Sequence, residues 1–353
     1  MKTRPSKPVE DSKALEEVVV VGYGTQKKAN LLGAVSQVTS EELKDRPVSS
    51  LGKALQGVIP NLNITYGSGL PGAETNLNIR GVASINGSGA PLVLIDGIEG
   101  NIDRVNPNDV ESVSVLKDAA SAAIYGARAG FGVILITTKN NADGKMRINY
   151  SGRFSVSDPT TCTDFITTGY DAAVLADEFN KSYNGSPYTR YDGEDFRQLY
   201  RRRNDRTEHP DRPWVVQKNG KYMYYANFDW YDYLFDYTQP TWDHDLSISG
   251  GNDKMDYYVS GSFLEDPSYV IMSGFKRYSG RAAFNAQATK WLKVGTNLSY
   301  SRRDIDSPGY SGANTGNVFL WTMWQNPTVP YYARDLDGNI RYNADGTKMY
   351  EQG

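Results

Sequence analysis

The side chains best suited to nucleophilic or proton-transfer chemistry in this 353-residue chain are two histidines, His209 and His244, and one cysteine, Cys162, all far apart in sequence. No Ser-His-Asp or Cys-His arrangement can be assembled around them, and two histidines are too few for a His-rich metal site. Acids are more plentiful. Asp96, Glu99, Asp103 and Asp109 fall in one short stretch, which is the raw material of an acid/base pair. No spacing ties any two of them to a common point, however, and solvated turns account for them. Gly22-Tyr23-Gly24 with Lys27 and Lys28 suggests a phosphate loop, but the full GxxxxGK[ST] pattern and a third glycine are missing. The basic run Arg201 to Arg206 has the charge to grip an anionic headgroup. Asp205 interrupts it and Glu208 follows it, so a solvated loop is the expectation. The sequence thus predicts no catalytic residue, no metal and no cofactor.

The elements around these residues say more. Net charge is −3, so no bulk cationic field points to nucleic acid. Twenty-five tyrosines and 34 glycines, with only 39% hydrophobic residues, suit short strands and turns better than a helical protein. A single cysteine excludes an internal disulfide framework. No apolar run reaches 18 residues, which excludes a spanning helix but not a strand-built membrane protein. Residues 111–139 predict strand, short helix and strand. Val113 and Val115 alternate with Ser112 and Ser114 as in a half-buried strand, Asp118 stands at a helix N-cap position, and Gly126 ends the helix. Upstream, Ser49 or Ser50 caps a helix whose Leu51, Leu55 and Val58 share one face. Leu62/Ile64, Leu77/Ile79 and Leu92/Leu94 mark further strands, and Pro107 opens a short turn or helix. Residues 15–29 hold four consecutive valines before a Gly-Tyr-Gly break, an extended segment that either closes the domain edge or pairs with a partner's sheet.

The motifs LNIRG, PLVLIDG, VNPNDVESVSVLKDA, IYGARA and GVILITTK, in that order and spacing, resemble the plug domain of TonB-dependent outer-membrane transporters of the SusC/RagA group. The resemblance implies an α+β plug domain at residues 30–139, preceded by a disordered leader at 1–14 and a TonB box region at 15–29. It implies TonB contacts at Glu17, Val18, Val19, Val20 and Val21, with ExbB/ExbD supplying energy. It also implies a SusD-like surface lipoprotein as lid, a glycan or peptide oligomer as cargo, and a plug facing the periplasm of the cell outer membrane. Arg80, Lys117 and Arg128 stand in plug-like motifs among small and apolar neighbours. Either they form ion pairs within the plug, or they pair with acids on the inner barrel wall as gating contacts. In a wet lumen each such pair is worth about 0–1 kcal/mol, so it would be reversible.

From residue 140 the pattern changes to antiparallel β strands. Trp242, His244, Leu246 and Ile248 share one face of a strand, opposite Asp243, Asp245, Ser247 and Ser249. Leu292, Val294, Leu298 and Tyr300 oppose Lys293, Gly295, Asn297 and Ser299 in the same way. Gly250 to Asp253 mark a tight turn, residues 158–240 are irregular apart from a helix near 168–182, and 318–324 suggest one more strand. The stretch 246–263 also resembles the opening barrel strands of the same group. A large transporter barrel has about 22 strands, and about five or six candidates follow residue 140. The expectation is therefore an incomplete transmembrane β-barrel at 140–353, the N-terminal fragment of a larger transporter without its signal peptide, embedded in outer-membrane lipid. The rival expectation is a soluble secreted glycan-binding module, or a remnant without function; a soluble module predicts polar residues on both strand faces.

Overall fold

The computed structural model describes residues 18–21, 24–27, 35–44, 46, 48–67, 71–79, 89–117, 122, 125–140, 145–158, 166–235, 239–271, 273–307, 325–335 and 337–350. The chain divides into two units. The first runs to Ser155 and takes in Pro240–Pro267 and Gly274–Ile305; the second comprises Val156–Gln239, Ser268–Ser273 and Asp306 onward.

The first unit opens with a hairpin of β1 (Val18–Val21) and β2 (Gly24–Lys27), in which Val18 lies opposite Lys27. The four β-branched residues are extended, as their χ1 stiffness favours. β3 (Val35–Thr39) leads into α1 (Ser40–Lys44), where the Glu42 carboxylate turns back to accept from the Thr39 N–H at 2.9 Å. In α2 (Leu51–Leu55) the Ser50 hydroxyl caps the Lys53 N–H. β4 (Asn63–Tyr66) and β5 (Thr75–Asn78) form a second hairpin. β6 (Leu92–Ile95), β7 (Ile98–Glu99), β8 (Val110–Leu116) and β9 (Val133–Thr138) join β3 in a five-stranded sheet of order β3-β8-β9-β6-β7. β9 is parallel to β6, and β8 is antiparallel to both of its neighbours.

Apolar clusters cover both faces of this sheet. Leu51, Leu55, Ile79, Val113, Val115, Ile134 and Ile136 pack on one face, and Leu94, Leu116, Ala129, Val133 and Leu135 on the other. Interior strand β8 is therefore buried on both sides. Ser114, expected on a solvated face, is 3% exposed and sits opposite Leu135. A sheet flanked twice hides even the polar phase of an alternating strand. Gly126 has φ +75°, and residues Ala127–Phe131 behind it form a 3-10 turn closed by Gly132 at φ +101°. The expected cap at Asp118 lies outside the described residues, although Ala122 is helical.

β10 (Arg147–Ser157) follows; β11 (Val215–Lys218) and β12 (Lys221–Tyr224) belong to the second unit. β13 (Gln239–Asn252), β14 (Met255–Pro267), β15 (Gly274–Gln287) and β16 (Lys293–Asp306) are long, and they form with β10 a sheet of order β10-β13-β14-β15-β16. This sheet is not closed: β10 and β16 are its edges. Gly250 and Gly251 lie within β13 rather than in the turn. Asn252 pairs with Met255, and its side chain accepts from the N–H groups of Lys254 and Met255, leaving Asp253–Lys254 as the loop.

In the second unit the helix expected near 168–182 is present, and further folded structure stands where an irregular stretch was expected. The unit contains α3 (Gly169–Asn184), α4 (Gly193–Arg202) and α5 (Trp230–Leu234) besides the β11–β12 hairpin. Asp192 and Asp195 form a capping box at the start of α4, and Lys218 bridges both carboxylates at 2.6 and 2.7 Å. The basic run is not a free loop. Arg202 is 5% exposed and donates to the carbonyls of Gln198 and Pro213, Arg203 pairs with Asp171, and Arg206 pairs with Asp229. Residues 159–165 and 308–324, which include Cys162 and the further strand expected at 318–324, lie outside the described residues.

Candidate functional site

Strict alternation along the long strands gives their sheet two chemically opposite faces. Ile148, Tyr150, Phe154, Val156, Trp242, Leu246, Val259, Tyr278, Val294, Leu298 and Tyr300 stand exposed on one face. Phe263 and Tyr278 lie opposite each other at one level, with Phe154 and Trp242 in ring contact on neighbouring strands; Tyr257 and Phe284 pair at a second level six residues along β14. Six residues of strand span about 20 Å, close to the about 25 Å apolar band that aromatic girdles flank on a barrel exterior.

The other face carries Arg153, Asp243, Asp245, Ser247, Tyr258, Ser260, Arg277, Ser279, Arg281, Asn297 and Arg303, and it packs on the αβ domain of the same unit. Four arginines from three strands reach backbone carbonyls of that domain. Arg277, 2% exposed, donates from Nη1 to the Ser49 carbonyl at 2.8 Å. Arg281 donates to the Lys139 carbonyl at 2.6 Å with its guanidinium over the Tyr258 ring. Arg303 reaches the Gly72 carbonyl at 2.5 Å and lies over Phe275. Arg153 bonds both the Arg46 carbonyl at 3.2 Å and the Asn108 side chain at 2.5 Å. Two buried neutral-to-acid contacts complete the seam: Tyr258 Oη donates to Asp109 at 2.9 Å, and Asn106 Nδ2 donates to Asp245 at 2.8 Å.

The acids expected in solvated turns are mostly structural. Asp103 is 3% exposed and accepts from the N–H and hydroxyl of Thr75 at 2.9 and 2.5 Å. Asp96 occupies a two-residue turn with Gly97, at φ +49° and +87°, and accepts from the Thr138 N–H, the Thr138 hydroxyl and Asn297 Nδ2. It thereby ties β6, β9 and β16 together. Of the four, Asp96 and Glu99 are exposed, and Asp103 and Asp109 are buried.

The candidate cations fall in different places. Arg128 pairs bidentately with Glu99 at 2.7 Å inside the αβ domain, with both side chains at least half exposed. Lys117 Nζ donates to Ser36 Oγ at 2.6 Å, linking β8 to β3, and burial pulls its ammonium below the ordinary lysine pKa. Arg80 and Glu17 lie outside the described residues; Val18, Val19, Val20 and Val21 form β1, whose second edge has no strand partner among the described residues. Sequence reasoning passed over Arg153, Arg277, Arg281 and Arg303. Their signal was phase: each sits on the polar side of an alternating strand.

Residues 27–133 match the TonB-dependent Receptor Plug Domain. Over 93% of its length the chain is 32% identical to TonB-dependent receptor P26 of Formosa agariphila, and over 92% it is 31% identical to TonB-dependent receptor SusC of Bacteroides thetaiotaomicron. It covers 30% of each of those proteins, so it spans about a third of the length of these curated relatives. Among solved structures it is similar to the RagAB peptide importer in the open-open state, with 33% identity and a TM-score of 0.66 over 82% of this chain and 32% of that one.

Proposed function

The chain carries the plug domain of the TonB-dependent receptors and the first wall strands of their SusC/RagA type, and on that premise we propose that it serves energised uptake of glycan or peptide oligomers across the outer membrane. The observation that carries this reading is the two-faced sheet. Its outward side is apolar and aromatic, and its inward side holds a folded domain by hydrogen bonds that can break and re-form. A soluble binding module would have no use for an apolar outer face, and that alternative is set aside.

In this mechanism the wall satisfies its backbone through strand pairing, because an unpaired amide in hydrocarbon costs several kcal/mol. The plug obstructs the lumen until TonB, drawing on ExbB/ExbD, pulls on the segment around Glu17 to Val21. β1 offers a strand edge for β-augmentation. A SusD-like lipoprotein closes over the extracellular mouth. Arg80, Lys117 and Arg128 act, on this proposal, within the plug, keeping it a unit while it moves against the wall.

The test replaces Val19 and Val20 by proline in the intact receptor, which removes two strand-pairing donors. Cells relying on the receptor for an oligomeric carbon or peptide source should lose uptake while surface binding of that oligomer is retained. Retained uptake would overturn the assignment of the box.

A further inference from the structure

Between the plug and β15–β16 lies a cavity of about 520 Å³, large enough for a small oligomer segment. Its lining includes Asp96, Asn101, Arg104, Arg281, Asn297 and Ser301, and all of it belongs to the first unit. Two buried polar atoms of this lining have no hydrogen-bond partner among the described residues: Arg281 Nη2 and Ser301 Oγ. Arg281 is 6% exposed, and its guanidinium is fixed by the Lys139 carbonyl on Nη1 and by the Tyr258 ring. The nearest acid, Asp96, is 3.9 Å from Nη2, too far for a hydrogen bond, and its oxygens already accept from Thr138 and Asn297. Glu99, also on the cavity, is engaged by Arg128, and Asp109 accepts from Tyr258. The acids of the cavity thus have hydrogen-bond donors of their own, while Arg281 Nη2, in a long 3.9 Å ion pair with Asp96, and the Ser301 hydroxyl keep unused hydrogen-bonding capacity.

We propose that this cavity is a binding site for a carboxylate group, with Arg281 Nη2 as the charged donor and Ser301 Oγ as the second contact, and that an acidic oligomer meets it between plug and wall. A guanidinium held by its own backbone anchor is pre-oriented to donate to an oxyanion, and such charge-assisted bonds are the stronger kind. The proposal deepens the transport reading and rests on it for the source of the ligand. That source is either a peptide C-terminus or a uronic acid, and the two share this chemistry.

The experiment is isothermal titration of the intact receptor in detergent with trialanine, trialanine amide and trigalacturonate, repeated with Arg281→Gln and Ser301→Ala. A heat-dependent gel shift reports whether each variant is folded. Binding of either carboxylate probe, absent for the amide and weakened about tenfold by Arg281→Gln, is the expected result. Trialanine alone would assign the site to peptides, and trigalacturonate alone to acidic glycans. No carboxylate binding, or binding unaffected by Arg281→Gln and Ser301→Ala, would overturn the site. Uptake is measured in parallel: carboxylate binding without any uptake would remove the transport reading and leave the site standing.

Discussion

At the scale of single residues, the plug is held to the wall by arginines whose acceptors are backbone carbonyls rather than acids. Arg277 is the clearest case, because its guanidinium is buried and its acceptor is the Ser49 carbonyl, one residue before the α2 cap. Arg277→Ala removes that bond and opens a void, so it should lower stability by about 2–4 kcal/mol. Thermal or urea unfolding of the refolded receptor measures this; a loss below 0.5 kcal/mol, the range of an ordinary surface change, would contradict the assignment. Arg128 makes the opposite prediction by its position. Its pair with Glu99 is exposed at both ends, so Arg128→Ala should move the same measurement by less than about 1 kcal/mol. Arg128 was legible as a cation in a plug motif, whereas the buried arginines were not singled out, since only the strand partners show which polar positions are covered.

At the scale of elements, two local devices carry definite consequences. Gly132 joins the 3-10 turn to β9 at φ +101°, and a Cβ there would meet the Leu116 carbonyl oxygen at 3.1 Å. Gly132→Ala should therefore destabilise the plug by about 1–3 kcal/mol, read from the same unfolding curves. The α4 cap responds to pH. The Lys218 ammonium, with backbone N–H groups of α4, holds the Asp192 carboxyl down at about 2, from an ordinary 3.8. The folded pKa lies below the unfolded one, so the cap's contribution is present above about pH 4 and is lost as pH falls toward 2. Near-ultraviolet dichroism from Tyr191 and Tyr225, which pack in the same cluster as α4, should show this acid transition. Asp192→Asn should flatten it, and an unchanged titration would sink the account. Caps of this kind, like Ser50 before α2, follow from local sequence alone. The helix expected near 168–182 is α3, whereas α4, α5 and the hairpin were missed because their apolar residues are interleaved with Tyr, Asp and Arg, which gives no clean helical or strand period.

At the scale of the whole molecule, alternation gives the long-strand sheet an apolar and a polar face, which on the proposed function meet lipid and lumen. Val259 stands on the outer face between the Tyr257 and Phe263 levels. Val259→Arg should cost about 2–4 kcal/mol on folding into vesicles, the penalty for a cation near the bilayer midplane. The same substitution measured in detergent micelles should cost less; equal losses in both would mean that this face does not meet lipid. The inward face faces no such constraint, and there buried polar contacts such as Asn106–Asp245 and Tyr258–Asp109 join residues about 140 and 150 positions apart in sequence.

Those distant pairings mark the limit of what the sequence determined. Strand periods, helix caps, the two chemical faces of β13 and β16 and the plug likeness are all local or near-local, because φ/ψ preference and side-chain phase act over a few residues. The tertiary structure alone decided that β8 is covered on both faces, that Asp96 joins three strands, and that Arg281 has one nitrogen without a hydrogen bond among the described residues beside a cavity. Each of these depends on which element arrives from far along the chain, and one strand's polar phase looks the same whether water, a carbonyl or a ligand faces it.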